Sequence, residues 1–140
     1  MSIWYLDTSA LAKFVRPEPE TGTLRRWLTS KRWIISDLHR TELRRAAARS
    51  GGRALARAER LIAESDVIRV DADVFDRAGR LQPLDLRSLD ALHLAAALTL
   101  ASDLAGIVVY DERLRSAAES AGVAVASPGS PPFPRTKRIR

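Results

Sequence analysis

Two stretches of the chain have the same local design: a short run of bulky apolar residues, then an aspartate, then a helix-like sequence. Residues 3–6 lead to Asp7, and residues 107–110 lead to Asp111. Short apolar runs of this kind are typical of buried strands, and aspartate is a favoured helix N-cap residue. The sequence therefore predicts two buried strands that feed helices capped by acids.

The rest of the chain alternates between strand-like and helix-like segments in the same way. Such alternation predicts an α/β fold, a three-layer α/β/α domain around a mostly parallel sheet, over residues 1–127. The remaining residues, 128–140, form a Pro-rich basic tail. Further strands are predicted at 33–36, 67–70 and 123–126, and further helices at 21–30, 37–50, 53–64, 72–80 and 88–102.

Composition narrows the possible chemistry. The chain has no cysteine, which excludes disulfides, zinc–thiolate sites and cysteine nucleophiles. No apolar run is long enough to predict a membrane span, and we expect a cytoplasmic protein. Four cationic tail residues supply most of the formal net charge of +6, so the charge only weakly supports an anionic partner. They are Arg135, Lys137, Arg138 and Arg140.

The helix predicted over residues 88–102 is apolar almost all the way round, yet it contains Asp90. A helix of that composition is buried, and an unpaired buried carboxylate costs on the order of several kcal/mol. Asp90 therefore indicates a compensating metal or charge. The alternative is that Asp90 caps the helix or pairs with an arginine such as Arg87.

Glu42 interrupts a second apolar pattern, because it follows Leu38 and precedes Ala46 at four-residue spacing. This spacing predicts an acid on the core-facing side of the helix, although an exposed glutamate at the edge of that side is the alternative. Two nearby histidines carry weaker signals. We predict that His39 is a surface residue and that His93 is a packed or hydrogen-bonded helix residue.

Two acids at strand ends and two on apolar helix faces are all satisfied if they converge on one site for hard divalent cations. On a basic protein, such a site favours phosphodiester chemistry, because bound metal reverses the local charge before a phosphate enters. A carboxylate-bridged di-iron site is an alternative, since His39 and His93 each lie three residues from an acid. That site usually occurs in a four-helix bundle, which this strand-rich chain does not predict.

Three other α/β classes each require a residue or motif that this chain lacks. An aspartyl phosphatase typically needs a second acid two residues after Asp7, where this chain has Ser9. A phosphoacceptor receiver domain needs an acidic pair after the first strand, and only Asp7 is present there. A dinucleotide-binding fold needs G-x-G-x-x-G after a strand, and no strand is followed by it.

Four segments together resemble the PIN-domain ribonuclease toxins of the VapC type. The segments are residues 5–13 (YLDTSALAK), 41–43 (TEL), 86–97 (LRSLDALHLAAA) and 109–114 (VYDERL). Any one of them alone is common. Their order and spacing match the family across roughly residues 1–129.

The resemblance implies a PIN fold and an endoribonuclease that depends on Mg²⁺ or Mn²⁺, with an RNA substrate, a cognate antitoxin and a homodimeric state. A PIN-like module that binds RNA or antitoxin without catalysis is the alternative. By position, the family's catalytic and metal-binding acids match Asp7, Glu42, Asp90 and Asp111. Thr8 and Ser9 match polar residues that orient the first aspartate. We assign them, with Arg87 and Arg113, to the substrate-binding set.

Overall fold

The computed structural model describes residues 2–131, so Met1 and the basic residues of the predicted tail lie outside it. Within that range the chain forms one sheet in which every strand pairing is parallel. The strands are β1 (Ile3–Leu6), β2 (Arg32–Ser36), β3 (Val67–Ile68), β4 (Leu104–Val108) and β5 (Val125–Ala126). All five predicted strand regions are present, with β4 beginning earlier and ending earlier than the sequence indicates.

Helices connect these strands, as parallel pairing requires. The helices are α1 (Thr8–Leu11), α2 (Thr21–Leu28), α3 (Leu38–Ala48), α4 (Gly52–Glu64), α5 (Ala72–Gly79), α6 (Ser88–Leu98) and α7 (Glu112–Ser120). Short 3₁₀ segments follow α1 and α6. No helix within residues 2–131 has the length and apolar character needed to cross a bilayer.

The strand order β3-β2-β1-β4-β5 places β1 at the centre of the sheet. The chain builds outward from β1 through β2 to β3, and then crosses back to add β4 and β5 on the other side. In open parallel sheets, ligands bind beyond the carboxyl ends of the strands where the order reverses, which here is between β1 and β4. Asp7 and Asp111 follow these two strands.

The core lies on both faces of the sheet, because successive strand residues point to opposite sides. Tyr5 and Ile107 belong to the cluster that packs against α5, α6 and α7. Leu6 and Val108 belong to the cluster that packs against α1, α2, α3 and α4. The predicted three-layer α/β/α arrangement is confirmed.

Close packing between β1 and β4 depends on a glycine in β4. A Cβ atom at Gly106 would lie 2.5 Å from the Trp4 ring and 2.6 Å from the Ala124 carbonyl oxygen. Contacts that short force atoms to move, so a larger residue would push β4 away from its neighbours. Gly106 therefore helps to hold the two strand ends together.

Helices α3 and α6 carry the two acids that were predicted from apolar patterns, and the two helices differ in how closely their burial follows those patterns. Helix α6 is buried along most of its length, as predicted, although it ends at Leu98. In α3 the buried side consists of His39, Leu43 and Ala47, so the prediction that Glu42 lies on the core-facing side is wrong by one position. Glu42 lies at the edge of that side, partly buried.

Candidate active site

Asp7 follows the central strand and caps α1. It is 6% exposed. Its Oδ2 atom accepts hydrogen bonds from the Ser9 backbone N–H at 3.2 Å and from the Ser9 hydroxyl at 2.7 Å. The other oxygen, Oδ1, accepts no hydrogen bond from residues 2–131 and lies 3.9 Å from His93 Nε2. A buried, firmly held carboxylate thus keeps one oxygen available to a ligand.

Ser9 joins Asp7 to the end of β4. Its hydroxyl donates to Asp7 and accepts the Tyr110 backbone N–H at 3.0 Å. Tyr110 directly precedes Asp111, whose Oδ1 atom accepts the Arg113 backbone N–H at 2.8 Å and so caps α7. One serine therefore fixes the two strand–aspartate–helix stretches relative to each other.

Asp90 lies in the first turn of α6 and is partly buried, with no hydrogen bond to its carboxylate within the described chain. Arg87 is the N-cap of α6 and no side chain caps the helix, so the alternative in which Asp90 caps it is wrong. Burial raises the pKa of Asp90, and the charges of Asp111 and Asp7 raise it further. His93 and Arg87 act in the opposite direction to a smaller extent.

Glu42 reaches the same region from α3 and is held by two donors. His93 Nε2–H donates to Glu42 Oε1, and the Thr8 hydroxyl donates to the same oxygen at 3.1 Å. Burial acts to raise the pKa of Glu42, but the hydrogen bond and charge of His93 outweigh it and the pKa is lowered. Burial acts to lower the pKa of His93, but the bond to Glu42 and the nearby acids outweigh it and the pKa is raised. The pair favours its charged form.

A buried polar network lies beneath this pair. The Tyr5 hydroxyl is 2.7 Å from His93 Nδ1 and 2.9 Å from Ser36 Oγ. The Ser36 backbone N–H donates to His39 Nδ1 at 3.1 Å, and His39 Nε2–H donates to the Leu6 carbonyl oxygen at 2.6 Å. The four side chains of this network are at most 1% exposed. No local sequence pattern predicts this network, since the residues that Tyr5 contacts are 31 and 88 residues away along the chain.

The two histidines have different outcomes. His93 is packed and hydrogen-bonded, as predicted. The prediction that His39 is a surface residue is wrong, because α3 turns it onto the sheet, where it is fully buried. Burial lowers the pKa of His39 to about 4, so its ring is neutral and carries its proton on Nε2, facing Leu6. Burial also raises the pKa of Tyr5, which stays a phenol.

The structure brings the four predicted acids to one end of the sheet. Asp7 and Asp111 both raise the pKa of Asp90, and Glu42 connects to Asp7 through His93. Within residues 2–131, no group of three or more Asp, Glu or His side chains is arranged closely enough to hold a metal ion. The chemistry of the donor set nevertheless fits a hard divalent cation, since it consists of carboxylate oxygens, several of which accept no hydrogen bond from residues 2–131. The ligand roles stay a prediction.

The predicted substrate-binding residues divide into two groups. The hydroxyls of Thr8 and Ser9 donate hydrogen bonds to Glu42 and Asp7, so in this structure they position acids. Arg87 and Arg113 line one groove of about 550 Å³ between the segment that precedes α6 and helix α7. Arg87 lies three residues before Asp90, and Arg113 lies two residues after Asp111. Contact of either group with RNA stays a prediction.

Both the sequence and the fold of the chain are similar to those of known proteins. Residues 4–120 match the family model of the PIN domain. The chain is 43% identical to Ribonuclease VapC46 of Mycobacterium tuberculosis over 129 residues, which cover 91% of this chain and 99% of that protein. It is 42% identical to Ribonuclease VapC47 of the same species over 132 residues, which cover 90% of this chain and 97% of that protein.

The fold is similar to the crystal structure of VapC20 from Mycobacterium tuberculosis, described as a Sarcin-Ricin loop cleaving toxin. The TM-score is 0.67, and the match covers 86% of this chain and 96% of that chain. The two sequences are 22% identical, so this similarity bears on the fold alone.

Proposed function

The chain belongs to the PIN-domain family and is a VapC-type toxin endoribonuclease, and we propose that it hydrolyses RNA at the cluster of Asp7, Glu42, Asp90 and Asp111. Like PIN-domain ribonucleases in general, it depends on a divalent metal ion. The observation that carries the site assignment is the setting of Asp7. This carboxylate is buried where the strand order reverses. Ser9 fixes one of its oxygens, and the other accepts no hydrogen bond from residues 2–131.

We infer that the ion is Mg²⁺ or Mn²⁺ and that the four acids hold it, directly or through water. Both ions favour carboxylate oxygens and bind phosphate oxygens as well. A divalent ion bound there supplies Lewis acidity, which lowers the pKa of a water molecule and stabilises negative charge on the phosphate. No protein nucleophile is needed, which agrees with a chain that has no cysteine.

The chain's own residues prepare the site for that ion. Ser9 fixes the direction of Asp7 through two hydrogen bonds to one oxygen. His93 and Thr8 both bind Oε1 of Glu42, so Oε2 is left to bind the ion or to accept a proton from water. The mutual repulsion of Asp90, Asp7 and Asp111, visible in the raised pKa of Asp90, is relieved by a bound cation.

RNA binding follows from the cationic side chains near the acids. We propose that Arg87 and Arg113, which line the groove between the segment that precedes α6 and helix α7, hold the RNA backbone beside the scissile phosphate. Guanidinium groups suit this role because they donate two parallel hydrogen bonds to a phosphate. A VapC toxin has a cognate antitoxin. We propose that the toxin and its antitoxin act in the cytoplasm, where the toxin meets cellular RNA.

We also propose that the chain forms a homodimer. Small residues on α3 and α4 give limited support for a dimer surface, because Ala47 and Ala54 are buried in the chain's own core. Leu55, exposed at 37%, and Ala48 remain on the outer surface of these helices. Sedimentation at micromolar concentration should show a dimer, and a monomer alone at every concentration would exclude this assembly.

The activity is tested with purified protein freed of antitoxin. We expect cleavage of single-stranded or looped RNA in a total cellular pool when Mg²⁺ or Mn²⁺ is added, and none when EDTA is present. Asp7→Asn should bind the same RNA without cutting it, because the substitution removes a ligand charge and leaves the cationic surface intact. If both proteins bind RNA equally and neither cuts with either metal, the chain is an RNA-binding module without catalysis.

A further inference from the structure

The arginines around α3 and α4 divide into two sets. Arg40 pairs with Asp37 at 3.0 Å, and Arg44 pairs with Glu59 at 2.7 Å. A second set makes no ion pair within the described chain. Its members are Arg16, Arg45, Arg49, Arg53, Arg57 and Arg60. Unneutralised like charges destabilise a fold, so their grouping indicates an anionic partner.

Four of these residues line one groove of about 460 Å³ beside the N-terminus of α4, here called the arginine groove. They are Arg16, Arg49, Arg53 and Arg57. Backbone carbonyls hold two of them in place: Arg49 Nε donates to the Arg45 carbonyl at 3.4 Å, and Arg57 Nη1 donates to the Val15 carbonyl at 3.2 Å. Neither bond neutralises a guanidinium, so the groove keeps its positive charge.

The arginine groove borders the groove that contains Glu42, because Arg49 lines both. This second groove, of about 710 Å³, is also lined by Arg45, Thr8 and Glu42. Phe75 lies in this second groove with 53% of its surface exposed. The groove that contains Glu42 therefore holds two arginines that make no ion pair within the described chain, together with an exposed aromatic ring.

We propose that the arginine groove binds backbone phosphates of the RNA strand on one side of the cleaved bond, while a base stacks on Phe75. This proposal rests on the ribonuclease function proposed above and adds a site separate from the Arg87–Arg113 groove, which shares no lining residue with it. RNA fits better than an acidic protein segment, because Arg45 and Arg49 line the same groove as Glu42, one of the acids proposed to cut phosphodiesters. Exposed aromatic rings along cationic grooves are typical of single-strand binding.

The test uses the double variant Arg16→Gln with Arg53→Gln, because neither side chain makes a hydrogen bond or ion pair within residues 2–131. Arg77→Gln with Arg80→Gln is the matched control, since it removes the same charge from exposed positions around the end of α5. Affinity for fluorescent single-stranded RNA is measured with Mg²⁺ in an Asp7→Asn background, over a range of salt concentrations. Cleavage of the same RNA is measured in the active background.

We expect the Arg16/Arg53 variant to lose roughly 10-fold in affinity and to show a salt slope smaller by about 1.4, since each phosphate contact with a single strand contributes about 0.7. In the active background its KM should rise more than its kcat falls, and the control should match the parent in every measurement. Phe75→Ala should weaken RNA binding without changing the salt slope, because stacking releases no counterions.

Equal affinity and equal salt slope in the Arg16/Arg53 variant and the control overturn the proposal. The same holds if that variant keeps its RNA affinity and loses affinity for polyglutamate, since the groove then serves an acidic protein segment. A parent protein that binds RNA and cuts none would instead remove the proposed activity, and the binding measurements would still report on the groove.

Discussion

The two strand–aspartate–helix stretches share their local geometry and differ in their surroundings. Asp7 and Asp111 each cap a helix by accepting the N–H two residues on, from Ser9 at 3.2 Å and from Arg113 at 2.8 Å. Asp7 is nearly buried at the end of the central strand, whereas Asp111 is partly exposed, one strand nearer to the edge. The same motif therefore produces an enclosed acid in one place and an acid at the rim in the other.

The two stretches also differ in the residues that support them. Beneath β1, the Tyr5 hydroxyl contacts His93, and His39 donates a hydrogen bond to the carbonyl oxygen of Leu6, the last residue of the strand. The segment that follows β4 is instead held by hydrogen bonds with residues that follow β5. Ser127 Oγ donates to the Val109 carbonyl at 2.5 Å, and the Tyr110 hydroxyl donates to the Pro128 carbonyl at 2.7 Å. A local motif sets where an aspartate points, and the packing behind it sets how firmly it is held.

The largest expected effect is on cleavage. We expect Asp7→Asn to lower kcat/KM by at least about 10³-fold and Asp111→Asn by roughly 10- to 100-fold, because a firmly held buried ligand contributes more than one at the rim. Asparagine is also a good N-cap, so both variants should fold. Initial rates with Mn²⁺ on a fluorogenic RNA measure this. Equal losses in the two variants would mean that the difference in burial has no catalytic meaning.

The link between the stretches is tested at Ser9. Ser9→Ala removes the donor to Asp7 and leaves the Tyr110 N–H without its acceptor, so we expect activity to fall roughly 10- to 100-fold. The free energy of unfolding should fall by about 1–3 kcal/mol, the cost of an unpaired polar group. Ser9→Thr keeps the hydroxyl and is the control. Denaturant unfolding and initial rates, measured together, separate positioning from simple loss of fold.

The buried His39 beneath β1 predicts that the stability of the fold depends on pH. The folded-state pKa of His39 is about 4, below its unfolded value of about 6.5, so the unfolded chain binds more protons between these values. His39 therefore stabilises the fold fully above about pH 6.5, and this stability, about 3 kcal/mol, is lost as the pH falls through about 4.

A glutamine at position 39 keeps an N–H donor and cannot be protonated. We expect His39→Gln to lose less stability than the parent between pH 7 and about 4.5, as measured by urea unfolding. Gln replacing the exposed Arg77 is the control and should follow the parent. Parallel pH curves for His39→Gln and the parent would show that His39 is protonated equally easily in both states.

The smallest effect concerns Asp90, whose raised pKa comes from burial and from both aspartates. Because the folded-state pKa lies above the unfolded value, this group lowers stability as the pH rises through that range. Metal-free Asp90→Asn should thus melt at the same temperature as the parent or slightly higher. Mn²⁺ should raise the melting temperature of the parent by mass action and that of Asp90→Asn much less. A strongly destabilised metal-free variant would show that Asp90 has a structural role.

Asp90 also sharpens the comparison between the stretches. Of its two acidic neighbours, Asp111 raises its pKa more than Asp7 does. An NMR titration of metal-free protein should therefore show a larger fall in the Asp90 pKa for Asp111→Asn than for Asp7→Asn. The acid at the rim is then the stronger electrostatic neighbour of Asp90, although we expect the enclosed acid to contribute more to cleavage.

Much of the fold was predictable because its signals are local. A run of apolar residues ending in an aspartate specifies a strand, a cap and a helix within about ten residues, and both such stretches were found from the sequence. Helix α6 was predicted to be buried because nearly every side chain in it is apolar. The set of four acids was also found from the sequence, and its role as a metal site stays a prediction.

The positions that the sequence misjudged depend on how elements pack. In α3, both possible apolar sides have the same four-residue spacing, and the sheet selects the one with His39, Leu43 and Ala47. A polar residue on that side becomes favourable only because Leu6 and Ser36 provide hydrogen-bond partners from two strands. No local pattern encodes those partners.

The sequence by itself determined the elements, the capping aspartates and the set of acids, because each depends on interactions between residues close in the chain. Only the tertiary structure decided that β4 pairs with β1, with Gly106 allowing the close approach. That pairing brings Ser9 within 3.0 Å of the Tyr110 N–H, 101 residues away, and makes one site of two separate stretches. Such contacts form only when burial of both sheet faces offsets the entropy of closing long loops, a balance that belongs to the whole chain.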